Sequence, residues 1–215
     1  MLRVVKVRLY PNKKHIELLS QHFGSSRFIY NFMLSQKDEN YQNGINISTY
    51  DLIKQLPQMK KSENFSWLKE VDSTSLQNSV LNLDKACKNF FRQVKNGEKA
   101  GFPKFKSLNN TEQSYQTSTA KIRNSKLYLP KIGEIKTIFH RKVEGKIKTV
   151  TVSKDANKYF ASINFDDGKP EILGKNNGKK VGIDVGVKVF ATLSDGTKIV
   201  APNLKKEING YKKSS

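Results

Sequence analysis

Between residues 72 and 95 the apolar side chains Leu76, Val80, Leu83, Cys87, Phe90 and Val94 recur at alternating spacings of four and three, and beyond residue 101 the recurrence shortens to two. The first period belongs to one face of a helix, the second to a half-buried strand. A chain that keeps the two periods in separate blocks is expected to fold as α+β, with a helical region and a run of strands.

Asp72 is placed to cap the helix that carries the stripe. Upstream, Asn12 opens a helix bearing Ile16, Leu19 and Phe23, which Gly24 is expected to stop. A second helix then bears Phe28, Ile29, Phe32 and Met33, so the region reads as a helical hairpin. Residues 40 to 47 read as turn. Ser48 to Asp51 fits a capping box for a short helix through Tyr50, Leu52, Ile53 and Leu56 that ends before Pro57. Trp67 and Leu68 are expected to anchor the loop that follows.

Residues 2 to 10, LRVVKVRLY, alternate basic and apolar side chains, and Pro11 closes the run. GFPKFKS at 101–107 reads as a turn and residues 108 to 118 as polar loop. Strands are expected at Ile122, Leu127 to Leu129, Ile135 to Phe139, Ile147 to Val152 and Tyr159 to Phe165, broken at Asn124-Ser125, Pro130, Gly133, Gly145 and residues 155–157. The spacing suits a small β-barrel of the oligonucleotide-binding shape with residues 2–10 as its first strand, so that the helices are an insertion. The chain divides accordingly into 1–11, the first strand; 12–97, the inserted helices; 98–166, the barrel; 167–180, a linker rich in Gly, Asn and Lys; and 181–215.

The formal net charge is +20, from 39 Lys and Arg against 19 Asp and Glu. Such an excess points to a polyanionic partner and steeply salt-dependent binding. Away from the apolar stripe, residues 72–95 carry Lys85, Lys88, Arg92 and Lys95, either an ordinary wet face or a rail for a phosphate backbone, and the surplus charge favours the rail. Arg27, Tyr30 and Asn31 border the upstream stripe, as a solvated face or as contacts to phosphates and bases. Cys87 is the single cysteine, which excludes an internal disulfide and a four-cysteine zinc site, and His15, His22 and His140 lack a metal-binding spacing. A cytosolic location is expected. No segment near the start has the form of a signal peptide, and no stretch approaches the roughly 20 apolar residues of a membrane span.

Residues 181–200, VGIDVGVKVFATLSDGTKIV, read as a half-buried strand, a turn at Ser194-Asp195-Gly196 and its return. Asp184 stands where an apolar residue is expected, between Gly182 and Gly186. A carboxylate there needs a cation or several hydrogen-bond donors. Either a neighbouring loop or a metal ion meets that need. The pattern resembles the first nuclease motif of the RuvC type within the RNase H fold, in which such an Asp binds a catalytic metal.

The order of further motifs resembles the N-terminal half of the TnpB (OrfB) family of transposon-encoded proteins: RLYPN at 8–12, RFIYNFML at 27–34, WLKEVDS at 67–73, LQNSVLNLDKACKNFFR in the helix, GFPKFKS at 101–107, LPKIG at 129–133 and GIDVGVKVFATLSDG. The resemblance implies a wedge barrel interrupted by a helical recognition domain and followed by the first strands of a RuvC-like nuclease domain. It implies a guide RNA and a double-stranded DNA target as partners, with sequence read mainly by base pairing. It places Tyr50, Ser73, Thr74, Gln77 and Thr119 on the DNA, and makes Asp184 the first catalytic carboxylate, a ligand of magnesium.

Two-metal hydrolysis needs several carboxylates. The family takes a Glu, a further Asp and a four-cysteine zinc element from later positions, and no matching motif occurs up to Ser215. The chain by itself is therefore expected to bind guide RNA and DNA without cutting, unless another chain supplies the rest of the nuclease domain. The alternatives are a non-catalytic DNA-binding regulator or accessory factor in transposition, and a basic structural RNA-binding protein.

Overall fold

In β1 (Leu2–Tyr10) Val5, Val7 and Leu9 turn inward while Lys6 and Arg8 face out, the period-two pattern of a strand with one buried face. The computed structural model describes residues 1–108, 112–170, 180–186 and 189–200. Six further strands, β2 (Glu112–Thr117), β3 (Lys121–Arg123), β4 (Lys126–Leu129), β5 (Gly133–Ile138), β6 (Lys146–Asp155) and β7 (Lys158–Asp166), join β1 in an antiparallel sheet ordered β2-β6-β7-β1-β5-β4-β3. β1 lies at its centre, paired with β7 on one side and β5 on the other. The sheet curls, so that Val7, Tyr115, Leu127, Ile135, Val152 and Ile163 from six strands meet in one cluster.

Two turns show how local sequence fixes this register. β3 and β4 pair Arg123 with Lys126, leaving a two-residue turn of Asn124 and Ser125, both with positive φ (46° and 57°). Gly145 has φ 123°, and a Cβ built there would collide with the Asp166 carbonyl where β7 ends. Only glycine allows that crossing.

Residues 112–117 correct the expectation of a loop over 108–118. Glu112–Thr117 is polar, yet Tyr115 and Thr117 alternate inward and the strand pairs with β6 along its whole length. Two inward side chains at period two suffice when a long neighbouring strand supplies the hydrogen bonds.

Between β1 and β2 come α1 (Lys13–Gln42), α2 (Thr49–Lys61), a 3-10 helix (Glu63–Lys69) and α3 (Ser73–Lys95). The expected helical hairpin is one continuous helix, α1, and it runs on through 40–42, which read as turn. Gly24 does not stop it because the stripe continues past it: Leu19 and Phe23 pack into the sheet's core, and Ile29, Tyr30, Met33 and Leu34 pack into a second cluster with α2 and α3. Each fully buried Leu or Ile stabilises by about 1.5–3 kcal/mol, more than the roughly 1 kcal/mol cost of an interior glycine. Pro57 likewise lies inside α2 rather than ending it. Its missing N–H leaves one helical bond unmade, and burial of Leu52, Leu56 and Met59 on either side of it outweighs that loss. The caps follow the sequence: Asn12, Ser48 and Asp72 accept from the N–H groups of His15, Asp51 and Thr74. The α3 stripe is buried from Leu76 to Cys87, but Phe90 is only half-buried and Val94 is exposed.

Residues 1–170 form one compact unit and 171–215 another. In the second, β8 (Ile183–Val185), β9 (Ala191–Leu193) and β10 (Lys198–Ile199) form an antiparallel sheet ordered β10-β9-β8. The expected half-buried strand is corrected here. Ile183, Asp184 and Val185 are all exposed, since a sheet of two- and three-residue strands buries little of itself. Most of the expected linker (171–179) and residues 201–215 lie outside the described residues.

Candidate nucleic-acid interface

Asp72 organises the N-terminus of α3. It is buried, and its carboxylate accepts hydrogen bonds from the Thr74 N–H (3.2 Å), the Thr74 hydroxyl (2.6 Å) and the Thr117 hydroxyl (2.6 Å). Its backbone N–H donates to Nε2 of the buried His22 at 3.1 Å. That bond fixes the tautomer: Nδ1 carries the hydrogen and donates to the Leu18 carbonyl at 2.7 Å. Burial pushes the His22 pKa below the ordinary histidine value.

Around this anchor the α3 terminus and the β2–β3 loop meet. The hydroxyl oxygens of Thr74 and Thr117 are 2.9 Å apart, and those of Thr74 and Thr119 are 3.4 Å apart. One turn on, Asn78 Nδ2 donates to the Gln116 carbonyl (3.2 Å) and to the Ser118 hydroxyl (3.3 Å). Ser73 is exposed and accepts a hydrogen bond from Lys60 Nζ at 2.7 Å, while burial lowers the pKa of that ammonium. Gln77 is exposed on the next turn. Of the five residues expected on the DNA, Ser73, Thr74 and Thr119 are thus brought together, with Gln77 beside them. Tyr50 lies at the other end of the α2–α3 pair. Its neighbour Thr49 donates to Asp84 Oδ1 (2.6 Å), far along α3, and its exposed ring stacks on Lys54 Nζ at 4.5 Å.

The cations of α3 are exposed along its C-terminal half. Lys88 pairs with Asp84 at 2.7 Å, whereas Lys85, Arg92 and Lys95 make no ion pair among the described residues. Arg27 is half-buried on α1. Tyr30 and Asn31 are not a solvated face. Tyr30 is buried in the helical core with Lys106 Nζ 4.3 Å above its ring, and the Asn31 amide holds the Lys106 backbone by two hydrogen bonds (2.8 and 3.0 Å), fastening residues 101–107 to α1.

Asp184 stands opposite Thr192 in the β8–β9 pair. Gly182 and Gly186 bring this backbone close to the following strand: Gly182 N–H donates to Ser194 Oγ at 3.0 Å, and Gly186 N–H donates to the Phe190 carbonyl at 3.4 Å. Asp195 accepts from the Thr197 N–H at 2.9 Å, which is a turn-closing role. Among the described residues no three His, Cys, Asp or Glu side chains gather as a metal-holding group. One exposed carboxylate does not fit a two-ion centre. No described helix is long and apolar enough to cross a membrane.

His22, Lys60, Asn78, Thr117 and Ser118 were not legible as site residues. Only Asp72 carried a signal, as a helix cap.

These features define a basic α+β protein whose curled antiparallel sheet receives a helical insertion and presents a hydroxyl- and amide-rich junction between them. The helix-turn-helix domain family HTH_OrfB_IS605 matches residues 1–46, which here fold as β1 and the unbroken α1. The chain is 32% identical over 199 residues to InsQ of Escherichia coli (strain K12), whose name describes an RNA-guided DNA endonuclease, covering 91% of this chain and 48% of InsQ. It is 33% identical over 207 residues to a Streptomyces pristinaespiralis protein named in the same terms, covering 93% and 50%. Virulence protein VsdF of Salmonella dublin is 39% identical over 114 residues, covering 49% of this chain and 93% of VsdF. A chain of the cryo-EM Cas12f1-sgRNA-target DNA complex aligns with a TM-score of 0.39 and 14% identity over 99% of this chain and 61% of that one. The chain belongs to the TnpB (OrfB) family, and it spans about half the length of the two endonuclease-named relatives.

Proposed function

We propose that this chain is the nucleic-acid-gripping portion of an RNA-guided DNA endonuclease, holding guide RNA and a DNA duplex. In this reading the curled sheet is the wedge barrel (98–166 with strand 1–11), residues 12–97 are the recognition domain, and 181–215 begin a RuvC-like domain.

The observation that carries it is the junction at the α3 N-terminus. Ser73, Thr74 and Thr119 converge there with Gln77, and short hydroxyls and an amide on a helix end are groups that read base edges. Tyr50 adds an exposed ring farther along the same helix pair. Arg27, Lys85, Lys88, Arg92 and Lys95 supply phosphate contacts that position the nucleic acid without reading it. Asp184 is the first carboxylate of a magnesium site. The other ligands, and a zinc element, come from outside the described residues, in the same polypeptide or another chain. With one carboxylate, this chain alone binds without cutting.

The test is binding of the chain to guide-bearing RNA and then to matched and mismatched duplex DNA, with magnesium, at two salt concentrations. Guide-dependent binding without cleavage is expected. Binding indifferent to the guide would instead indicate a DNA-binding regulator or a structural RNA-binding protein, and cleavage by the chain alone would refute the carboxylate argument.

A further inference from the structure

The C-terminal ends of α1 and α3 and the segment after α3 enclose an apolar cavity of about 330 Å³. Tyr41, Ile45, Phe90, Phe91 and Phe102 line it. The half-buried Phe90 ring is its hub, 5.2 Å from Phe91 and 5.4 Å from Phe102, which it meets nearly edge-on at 86°. The buried Cys87 closes its floor, while three aromatic rings of the lining are wet: Tyr41 is 76% exposed, Phe91 57% and Phe102 46%. Aromatic surface left open in this way marks a contact site.

Charge decides what kind. Lys88 precedes Phe91 by three residues and Lys95 follows it by four, so both flank the ring on the helix surface, with Arg92 adjacent. Lys88 already pairs with Asp84, but Arg92 and Lys95 make no ion pair among the described residues, and an apolar protein segment seated in the cavity would give those two no partner at its rim. A nucleotide uses both features, since its base stacks on the rings and its phosphates meet the cations. Asp38 is the one carboxylate in the lining, beside Lys37. It repels phosphate from the interior and accepts hydrogen bonds only, which suits the exocyclic amino group of adenine, cytosine or guanine.

We propose that this cavity takes one unpaired base of a single nucleic-acid strand, with the flanking phosphates on Lys88, Arg92 and Lys95. The proposal rests on the nucleic-acid reading above and adds the place where an unpaired base is held. Amino-bearing bases are favoured there over uracil.

The experiment compares the chain with a Phe91→Ala, Tyr41→Ala double variant, using fluorescence anisotropy on a short single-stranded RNA and on a blunt duplex of the same sequence. The double variant is expected to bind the single strand about tenfold more weakly, with duplex affinity and salt slope unchanged. Phe91→Trp is expected to keep the affinity. In the unaltered protein, 2-aminopurine in the RNA is expected to be quenched on binding, a readout independent of how any variant folds. Equal single-strand affinity of variant and parent, with no quenching, would overturn the proposal while leaving the nucleic-acid reading intact. So would a dimer that Phe91→Ala dissociates, because the face would then belong to a second copy. A parent chain that binds neither RNA nor duplex overturns the nucleic-acid reading itself.

Discussion

The Asp72 backbone N–H donates to Nε2 of His22, fifty residues earlier in the chain. The bond ties α1 to the cap of α3 and makes a neutral, singly protonated imidazole part of the junction that presents Ser73, Thr74 and Thr119. A proton on Nε2 would remove the acceptor and place a charge in a buried site.

Stability is therefore expected to depend on pH through His22. Burial lowers its folded pKa, so the unfolded chain binds the proton first. The contribution is complete above the unfolded value of about 6.5 and is lost as pH falls from there toward the folded value. Melting temperatures measured across that range should fall on acidification, and His22→Gln should flatten the fall. An identical slope in the variant would assign the effect to other groups.

Replacing Asp72 by Ala removes a helix cap and the acceptor shared by the Thr74 and buried Thr117 hydroxyls, of which only one can then donate to the other across their 2.9 Å separation. Cap loss costs about 1 kcal/mol and an unsatisfied buried hydroxyl about 1–3 kcal/mol, so a destabilisation of roughly 2–4 kcal/mol is expected. Denaturant midpoints measure it, and Asp72→Asn, which keeps an acceptor, should cost less.

Gly24→Ala is expected to stabilise by about 0.5–1 kcal/mol, because a Cβ there meets no atom within 4 Å and the backbone is already helical. A lower melting temperature would mean that α1 needs the break its sequence advertises.

Arg92→Gln and Lys85→Gln should each leave stability within about 0.5 kcal/mol of the parent. If the α3 cations carry phosphates, each change should also reduce the salt dependence of nucleic-acid binding by about one counterion-release unit. Unchanged salt slopes would return both side chains to an ordinary solvated face.

Amide exchange should be faster at Ile183–Val185 than along Leu76–Leu83. The former is a three-residue exposed strand, and the latter lies on the buried face of a 23-residue helix. Comparable protection would imply that something covers the Asp184 strand in solution.

The sequence made legible what is governed by local periodicity. The strands around Leu127, Ile135, Val150 and Ile163 alternate clearly, and the caps at Asn12, Ser48 and Asp72 carry their own side-chain signals. Gly24 and Pro57 misled because each is a local stop sign whose cost is smaller than the burial on either side of it. β2 was hidden because its order comes from pairing with β6, not from its own polar residues. The candidate site rests on resemblance, which pointed to Tyr50, Ser73, Thr74, Gln77 and Thr119, of which Ser73, Thr74 and Thr119 lie together in the fold with Gln77 on the next turn. Nothing in the spacing of His22, Asp72 and Thr117 foretells that they meet, since their contacts close loops of about fifty and forty-five residues.

The same stripe of α1 is seated in the sheet at Leu19 and Phe23 and in the helical cluster at Ile29 and Met33. One uninterrupted helix thus serves as a shared wall for two cores, and neither core can be dismantled without stripping apolar cover from the helix that also serves the other.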